Sequence, residues 1–328
     1  MYVAPKVKPL CPPEKSPRFE DVEYGVVTLD DGSEYSLKLD IYQSKSQSKP
    51  GPCIIYIFGG GWLWGEYKQV TQKAVYCRDL VRLTDQGYTV VCPDYRLASQ
   101  AVFPACIHDV KGVVRFLKAN GEKYNIDKER IGVLGNSAGG HLALMLALSE
   151  GEPFLEGDVG GNLQESSGVK AAVVYYGPAD LCKAITEAAN QLRGKKRDLT
   201  GTEIEDLHSD DSDQIPALIV GYKGESKNLL KLEEVLKSED ENNLDYKYIE
   251  LTKKCSPMTY VKKDVPPLLL LHGGKDVVVS PSQSENLYQA LCSKGADVTL
   301  IEYSIGAHGP SLGPDIDNFA YNFLTNRL

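Results

Sequence analysis

Gly135-Asn136-Ser137-Ala138-Gly139 is the chain's only G-x-S-x-G pentapeptide. It stands between a strand-like run, Ile131–Leu134, and an apolar helical run, His141–Leu148. A serine at a sharp strand-to-helix turn holds its hydroxyl up at the carboxyl end of a sheet. Glycines two residues to either side let neighbouring backbone pass closely. The helix behind adds backbone N–H groups and the positive end of its dipole. A bare pentapeptide is weak evidence, because a turn of small residues can be purely structural. The flanking strand and helix make Ser137 the candidate nucleophile.

A serine hydroxyl attacks only when a base removes its proton and a third group orients that base. The chain offers five histidines. His108 falls in a helix, His208 in an acidic stretch, and His141 inside the helix that grows away from the serine, where packing is the better reading. His272 ends an apolar strand and is read as capping it by hydrogen bonding. His308, in "IGAHGP", follows the strand-like "DVTLIEYS" and has the required position on the same rim as Ser137. Asp276, in "GKDVVV", follows "LLLLHG" and lies at the carboxyl end of a strand too. Asp297 and Glu302 are the runners-up; the first falls at the wrong end of its strand and the second within it. The order Ser137, Asp276, His308 is that of Ser…Asp…His hydrolases.

Acyl transfer passes through an oxyanion, which backbone N–H groups stabilise when they approach closely. Gly59–Gly61, after the apolar run "CIIYIF", can present such groups without side chains in the way. Ala138 supplies a further N–H. Trp62 and Trp64, the only tryptophans, come next and are candidates for lining an acyl or alcohol subsite. The alternative makes them core side chains, and for Trp64 the two readings are evenly matched.

The surrounding pattern must place these residues together. "DVEYGVVTL", a "DDGS" turn and "EYSLKLDIY" predict a hairpin. "CIIYIF", "GYTVVCP", "RIGVL", "VKAAVVYYG", "PPLLLLHG" and "ADVTLIEYS" read as further strands. Helical stretches alternate with them, including residues 68–86, 103–120, the run after Ser137, 280–295 and 310–327. Buried strands alternating with helices specify a mostly parallel sheet flanked by helices, with an antiparallel hairpin at one edge. Residues 1–20 are read as a proline-rich arm, and residues 1–328 as a single domain. Residues 180–262 break the rhythm and are expected to be less regular, as an inserted lid. Their acidic part, "DLTGTEIEDLHSDDSD", reads equally well as a solvated loop.

The 328 residues (36.0 kDa) carry a net charge of −9 with a pI near 5.2 and no long Lys/Arg cluster, which argues against nucleic-acid binding. No apolar run reaches membrane-spanning length, and the N-terminal stretch has no apolar signal-peptide core. Eight cysteines form no C-x-x-C pair and read as small buried hydrophobes in a reducing compartment; a metal or redox site is the lesser alternative. A cytoplasmic location is therefore expected.

Taken together, "FGGGW", "DYRL" at 94–97, "FPACIHD" at 103–109, "GNSAGGHLA", "YYGPADL", "CSPMTYV", "PPLLLLHGGKD" and "GAHG" resemble the α/β-hydrolase superfamily. Within it, the chain is similar to the hormone-sensitive-lipase-like carboxylesterases and the acetyl- and feruloyl-esterase-like (BD-FAE-like) group of bacteria. The matching pieces keep the family's order over roughly residues 35–310. The resemblance implies oxyanion donors at Gly60, Gly61 and Ala138, scaffold roles for "DYRL" and Asp109, and no cofactor or metal. Its implied activity is hydrolysis of short acyl or aryl esters, with acetyl or feruloyl groups on plant carbohydrate in range. An amidase, formamidase or exopeptidase on the same triad is the alternative, as is an inactive hydrolase-like binding protein. Phe58 stands where the family often carries a histidine that holds the glycine loop, so packing must hold it here. Residues 183–255 are longer than compact members need and are expected to form a lid or a homo-dimer contact. The short arm favours the acetyl/feruloyl side.

Overall fold

The computed structural model describes residues 17–43, 47–70, 80–195, 214–224, 227–309 and 312–328. One eight-stranded sheet organises them. Its strands are β1 (Phe19–Thr28), β2 (Glu34–Tyr42), β3 (Gly51–Ile57), β4 (Thr89–Pro93), β5 (Ile126–Asn136), β6 (Ala172–Tyr175), β7 (Leu268–Gly273) and β8 (Val298–Tyr303). Their spatial order is β1-β2-β4-β3-β5-β6-β7-β8. From β4 to β8 every pairing is parallel, whereas β1–β2 and β2–β4 are antiparallel. This is the mostly parallel sheet with an antiparallel N-terminal pair that the sequence predicts.

Burial follows position in the sheet. The central β3, β6 and β7 are buried at every residue, which is why they read as unbroken apolar runs. Edge strand β1 instead mixes buried and exposed positions. Helices α1 (Ala105–Ala119), α2 (Ala138–Leu148), α3 (Pro153–Glu156), α4 (Leu181–Lys195), α5 (Ile215–Leu218), α6 (Leu229–Ser238), α7 (Tyr246–Lys254), α8 (Ser282–Lys294) and α9 (Pro314–Thr325) flank it. Every residue of α2 is buried, so the helix behind Ser137 is apolar all round rather than amphipathic.

Three expectations differ from the observed elements. The sequence predicts one helix over residues 68–86, but Tyr67–Val70 and Leu80–Gln86 are short 3₁₀ turns, and residues 71–79 lie outside the described residues. The supposed arm has entered β1 by Phe19, with residues 1–16 outside the described set. The segment between β6 and β7, expected to be irregular, contains α4 to α7. Its acidic stretch, with His208, lies outside the described residues. In α4, Leu181, Ile185, Ala189 and Leu192 are buried at helical spacing, and α4 packs against α5, α6 and α7.

Two of the matched sequence pieces are buried ties. Asp109 accepts hydrogen bonds from the Arg96 backbone N–H (2.8 Å) and guanidinium (2.7–3.1 Å), fastening α1 to the loop after β4. Tyr95, on the same loop, donates through its hydroxyl to the Phe58 carbonyl oxygen at 3.0 Å. Both ties stabilise the rim from which the glycine loop springs.

Candidate active site

Ser137 sits between β5 and α2 with φ 53° and ψ −122°. Left-handed backbone at a non-glycine residue is costly and persists only where the surroundings enforce it. The Ser137 N–H donates to Tyr175 O at 2.9 Å, and Ser137 O accepts from His141 N at 2.9 Å. The flanking glycines permit the turn: a Cβ on Gly139 would stand 2.1 Å from Ile57 O, and one on Gly135 would stand 2.2 Å from Gly139 O.

Asp276 and His308 arrive from the neighbouring strand ends. His308 Nδ1–H donates to Asp276 Oδ2 at 2.7 Å, leaving Nε2 to accept from Ser137 Oγ at 3.1 Å. The three residues predicted from sequence thus form one hydrogen-bonded row. The two loops brace each other through Lys275 N to Gly306 O (2.7 Å) and Gly274 N to Tyr303 O (2.8 Å). Burial pushes the Asp276 carboxyl up, but hydrogen bonds from His272, His308 and the backbone outweigh it. The carboxyl is held well below the usual carboxylate range and stays ionised. Val278 and Val279 N–H groups both donate to its Oδ1 at 2.9 Å.

The glycine loop stands on the other side of the serine. A Cβ on Gly59 would lie 3.2 Å from Ser137 Cβ, so the loop passes directly against the serine. Gly60 and Gly61 have φ 118° and 60°, and a Cβ on Gly60 would meet Trp64 O at 1.9 Å. Among the described residues, none accepts a hydrogen bond from the N–H of Gly60, Gly61 or Ala138, the three donors predicted for an oxyanion. Phe58 is buried and stacks on Tyr95 with ring centroids 4.3 Å apart. Packing and the Tyr95 hydroxyl therefore hold this loop.

The tryptophans divide. Trp62 is only 3% exposed, and its ring meets His141 edge-on with centroids 5.0 Å apart. It packs beneath the loop and offers a ligand almost no surface. Trp64 is 51% exposed and open to solvent beside the loop. His141 Nε2–H donates to Cys255 O at 2.7 Å, joining α2 to the segment after α7. Its helical packing role is as predicted.

Two neighbours were not picked out as site residues from sequence. Tyr176 packs its ring 4.5 Å from the His308 ring, just past the end of β6, where "YYGPADL" gives a strand and a family match but no site role. His272, read as a strand cap, does donate from Nε2 to Val279 O at 2.9 Å, but it also lies 3.4 Å from Asp276 Oδ2. Its place one turn of loop before Asp276 was the available signal. Among the described residues, no cluster of three His, Cys, Asp or Glu side chains could hold a metal ion.

A family model described as BD-FAE matches residues 39–220 and 227–291, well over half of the chain. Esterase LipC of Mycobacterium tuberculosis is 27% identical over 85% of the chain and 58% of its own length. Esterase LipQ of the same organism is 28% identical over 79% of the chain and 50% of its own length. The chain thus spans about half the length of these curated relatives. A solved truncated carbohydrate esterase from gut microbiota superposes with TM-score 0.71 at 26% identity, covering 96% of this chain and 98% of that one. An esterase of Thermogutta terrifontis with bound propionate, 21% identical at TM-score 0.61, covering 94% of this chain and 90% of that one, shares the fold.

Proposed function

Because the chain belongs to the BD-FAE family, we propose that it is a serine carboxylesterase acting on small ester substrates through Ser137, His308 and Asp276. The observation that carries this reading is the continuous row from Asp276 Oδ2 through His308 to Ser137 Oγ, beside free N–H groups. His308 Nε2 takes the serine proton as Oγ attacks the ester carbonyl carbon. Asp276 holds the ring in the tautomer that exposes this nitrogen and stabilises the imidazolium that forms. Gly60, Gly61 and Ala138 donate to the oxyanion. His308 then protonates the leaving alcohol, and a water deprotonated by the same nitrogen releases the acid.

Resemblance to carbohydrate esterases supports an ester borne on an oligosaccharide, with acetyl and feruloyl groups as the acyl candidates. Half-exposed Trp64, beside the glycine loop, is proposed to line a subsite for the ester. The main support for an inactive binding protein is Phe58 in place of a loop-holding histidine, and the Tyr95 stack that fixes Phe58 weighs against that reading. The segment 180–262 is proposed as a lid within a single domain. Cytoplasmic residence is also proposed; the unpaired thiols of Cys53, Cys92, Cys106, Cys182, Cys255 and Cys292 support it, and two or more disulfides in the native protein would contradict it.

The test is hydrolysis of p-nitrophenyl acetate, butyrate and octanoate, methyl ferulate and acetylated xylo-oligosaccharide, with Ser137→Ala as control. Ester turnover that disappears in the variant is expected. A folded protein inert on all of them, or turnover undiminished by the substitution, would overturn the reading.

A further inference from the structure

Among the described residues, the segment between β6 and β7 reaches the glycine loop at Ile215. A Cβ on Gly61 would stand 2.9 Å from Ile215 Cδ1 and 3.5 Å from both Cγ1 and Cγ2. Ile215, the first residue of α5, therefore lies in van der Waals contact with a proposed oxyanion donor. Its helix is firmly seated. Ala217, Ile219, Val220 and Tyr222 are buried, Ile219 O accepts from Phe103 N at 2.9 Å, and Gln214 Oε1 accepts from Leu229 N at 3.2 Å. Ile215 itself is only partly buried, so it presents an apolar surface from a rigid mount.

Sheet order decides which half of an ester that surface meets. The glycine loop follows β3, the serine follows β5, and Asp276 and His308 follow β7 and β8 at the far end of the order β3-β5-β6-β7-β8. The leaving alcohol oxygen must lie beside His308 Nε2 to be protonated, on the β7–β8 side. The oxyanion must point to Gly60 and Gly61. The acyl group is the remaining substituent and is directed away from His308, toward the β3 side where Ile215 stands. On the alcohol side, the loops carrying Asp276 and His308 expose Val277 (75%), Val278 (62%) and Ile305 (64%), an open apolar rim able to accept a bulky alcohol.

We propose that Ile215 closes the acyl side of the site, restricting the protein to acetyl-sized acyl groups while the alcohol side stays open to a large alcohol such as a saccharide. This rests on the esterase reading and selects acetyl over feruloyl within it.

The test is kcat/KM for p-nitrophenyl acetate, butyrate and hexanoate, and for acetate esters of ethanol, phenol and xylo-oligosaccharide, in the wild type, Ile215→Val, Ile215→Ala and Ile215→Phe. A methylene in an apolar pocket is worth roughly tenfold or more in discrimination. The butyrate-to-acetate ratio should accordingly rise about tenfold in Ile215→Ala and by a smaller factor in Ile215→Val, and it should fall in Ile215→Phe. The ranking among acetate esters should stay the same. Turnover by the wild type with an acyl ratio unmoved in all three variants would overturn the inference and leave the esterase reading standing. A shift in alcohol preference in place of acyl preference would overturn it equally. A wild type inert on every ester would overturn the esterase reading and this inference with it.

Discussion

Ser137 occupies left-handed backbone that most residues avoid, and every neighbour is shaped to allow it. The same economy of side chains governs the loop opposite. Gly60 combines φ 118° with a Cβ position 1.9 Å from Trp64 O, so any side chain there must displace the loop. Gly60→Ala should therefore lower kcat by about 10²–10³-fold, the usual effect of losing one oxyanion donor, while KM changes little. Steady-state kinetics on p-nitrophenyl acetate checks this, and an unchanged kcat would remove Gly60 from the site. The triad was legible because each member needs a particular turn in a particular context, whereas the choice of Gly60 and Gly61 among the three glycines came from the family resemblance. Ser137 required strand, turn and helix; Asp276 and His308 required strand ends. Trp62 and Trp64 were not sorted, because their directions depend on loop backbone. Trp62 takes φ 60° and turns inward, whereas Trp64, two residues on, faces solvent.

Among the elements, α2 carries the most. It is buried along its whole length and fixes the serine at one end, while His141 ties it to Cys255 at the base of the segment between β6 and β7. Burial depresses the His141 pKa to about 4 from an ordinary 6.5. The unfolded chain therefore gains a proton as pH falls through the ordinary value, and the folded protein gains it only near the depressed one. Stability from this group is complete above the upper value, declines by about 1.4 kcal/mol per pH unit between the two, and declines no further below the lower. His141→Asn should flatten the dependence of Tm on pH across that window, whatever its absolute Tm. An identical slope in variant and wild type would show that His141 is not held neutral. The strands were legible because central parallel strands must be apolar throughout. The helices between β6 and β7 were harder to read. Their stripe of Leu181, Ile185, Ala189 and Leu192 is interrupted by charged and small residues, and α5 is one turn long. No pattern in α5 announces that Ile215 meets Gly61, because that contact joins positions far apart in the chain.

Across the molecule, the parallel strands deliver their loops to one rim, and the antiparallel β1–β2 pair closes the opposite edge of the sheet. On the proposed mechanism this strand order makes the site directional: oxyanion and acyl group toward β3, leaving alcohol toward β8. Among the described residues, no helix is long and apolar enough to cross a membrane. The account stands on one chemical assertion, that the row of Asp276, His308 and Ser137 makes Ser137 Oγ a nucleophile. A fluorophosphonate probe tests it most directly, read by intact mass and by mapping of the labelled peptide. The account predicts a single adduct on Ser137, absent in Ser137→Ala and formed much more slowly in His308→Ala. A folded protein that remains unlabelled, or an adduct that persists in Ser137→Ala, would contradict it.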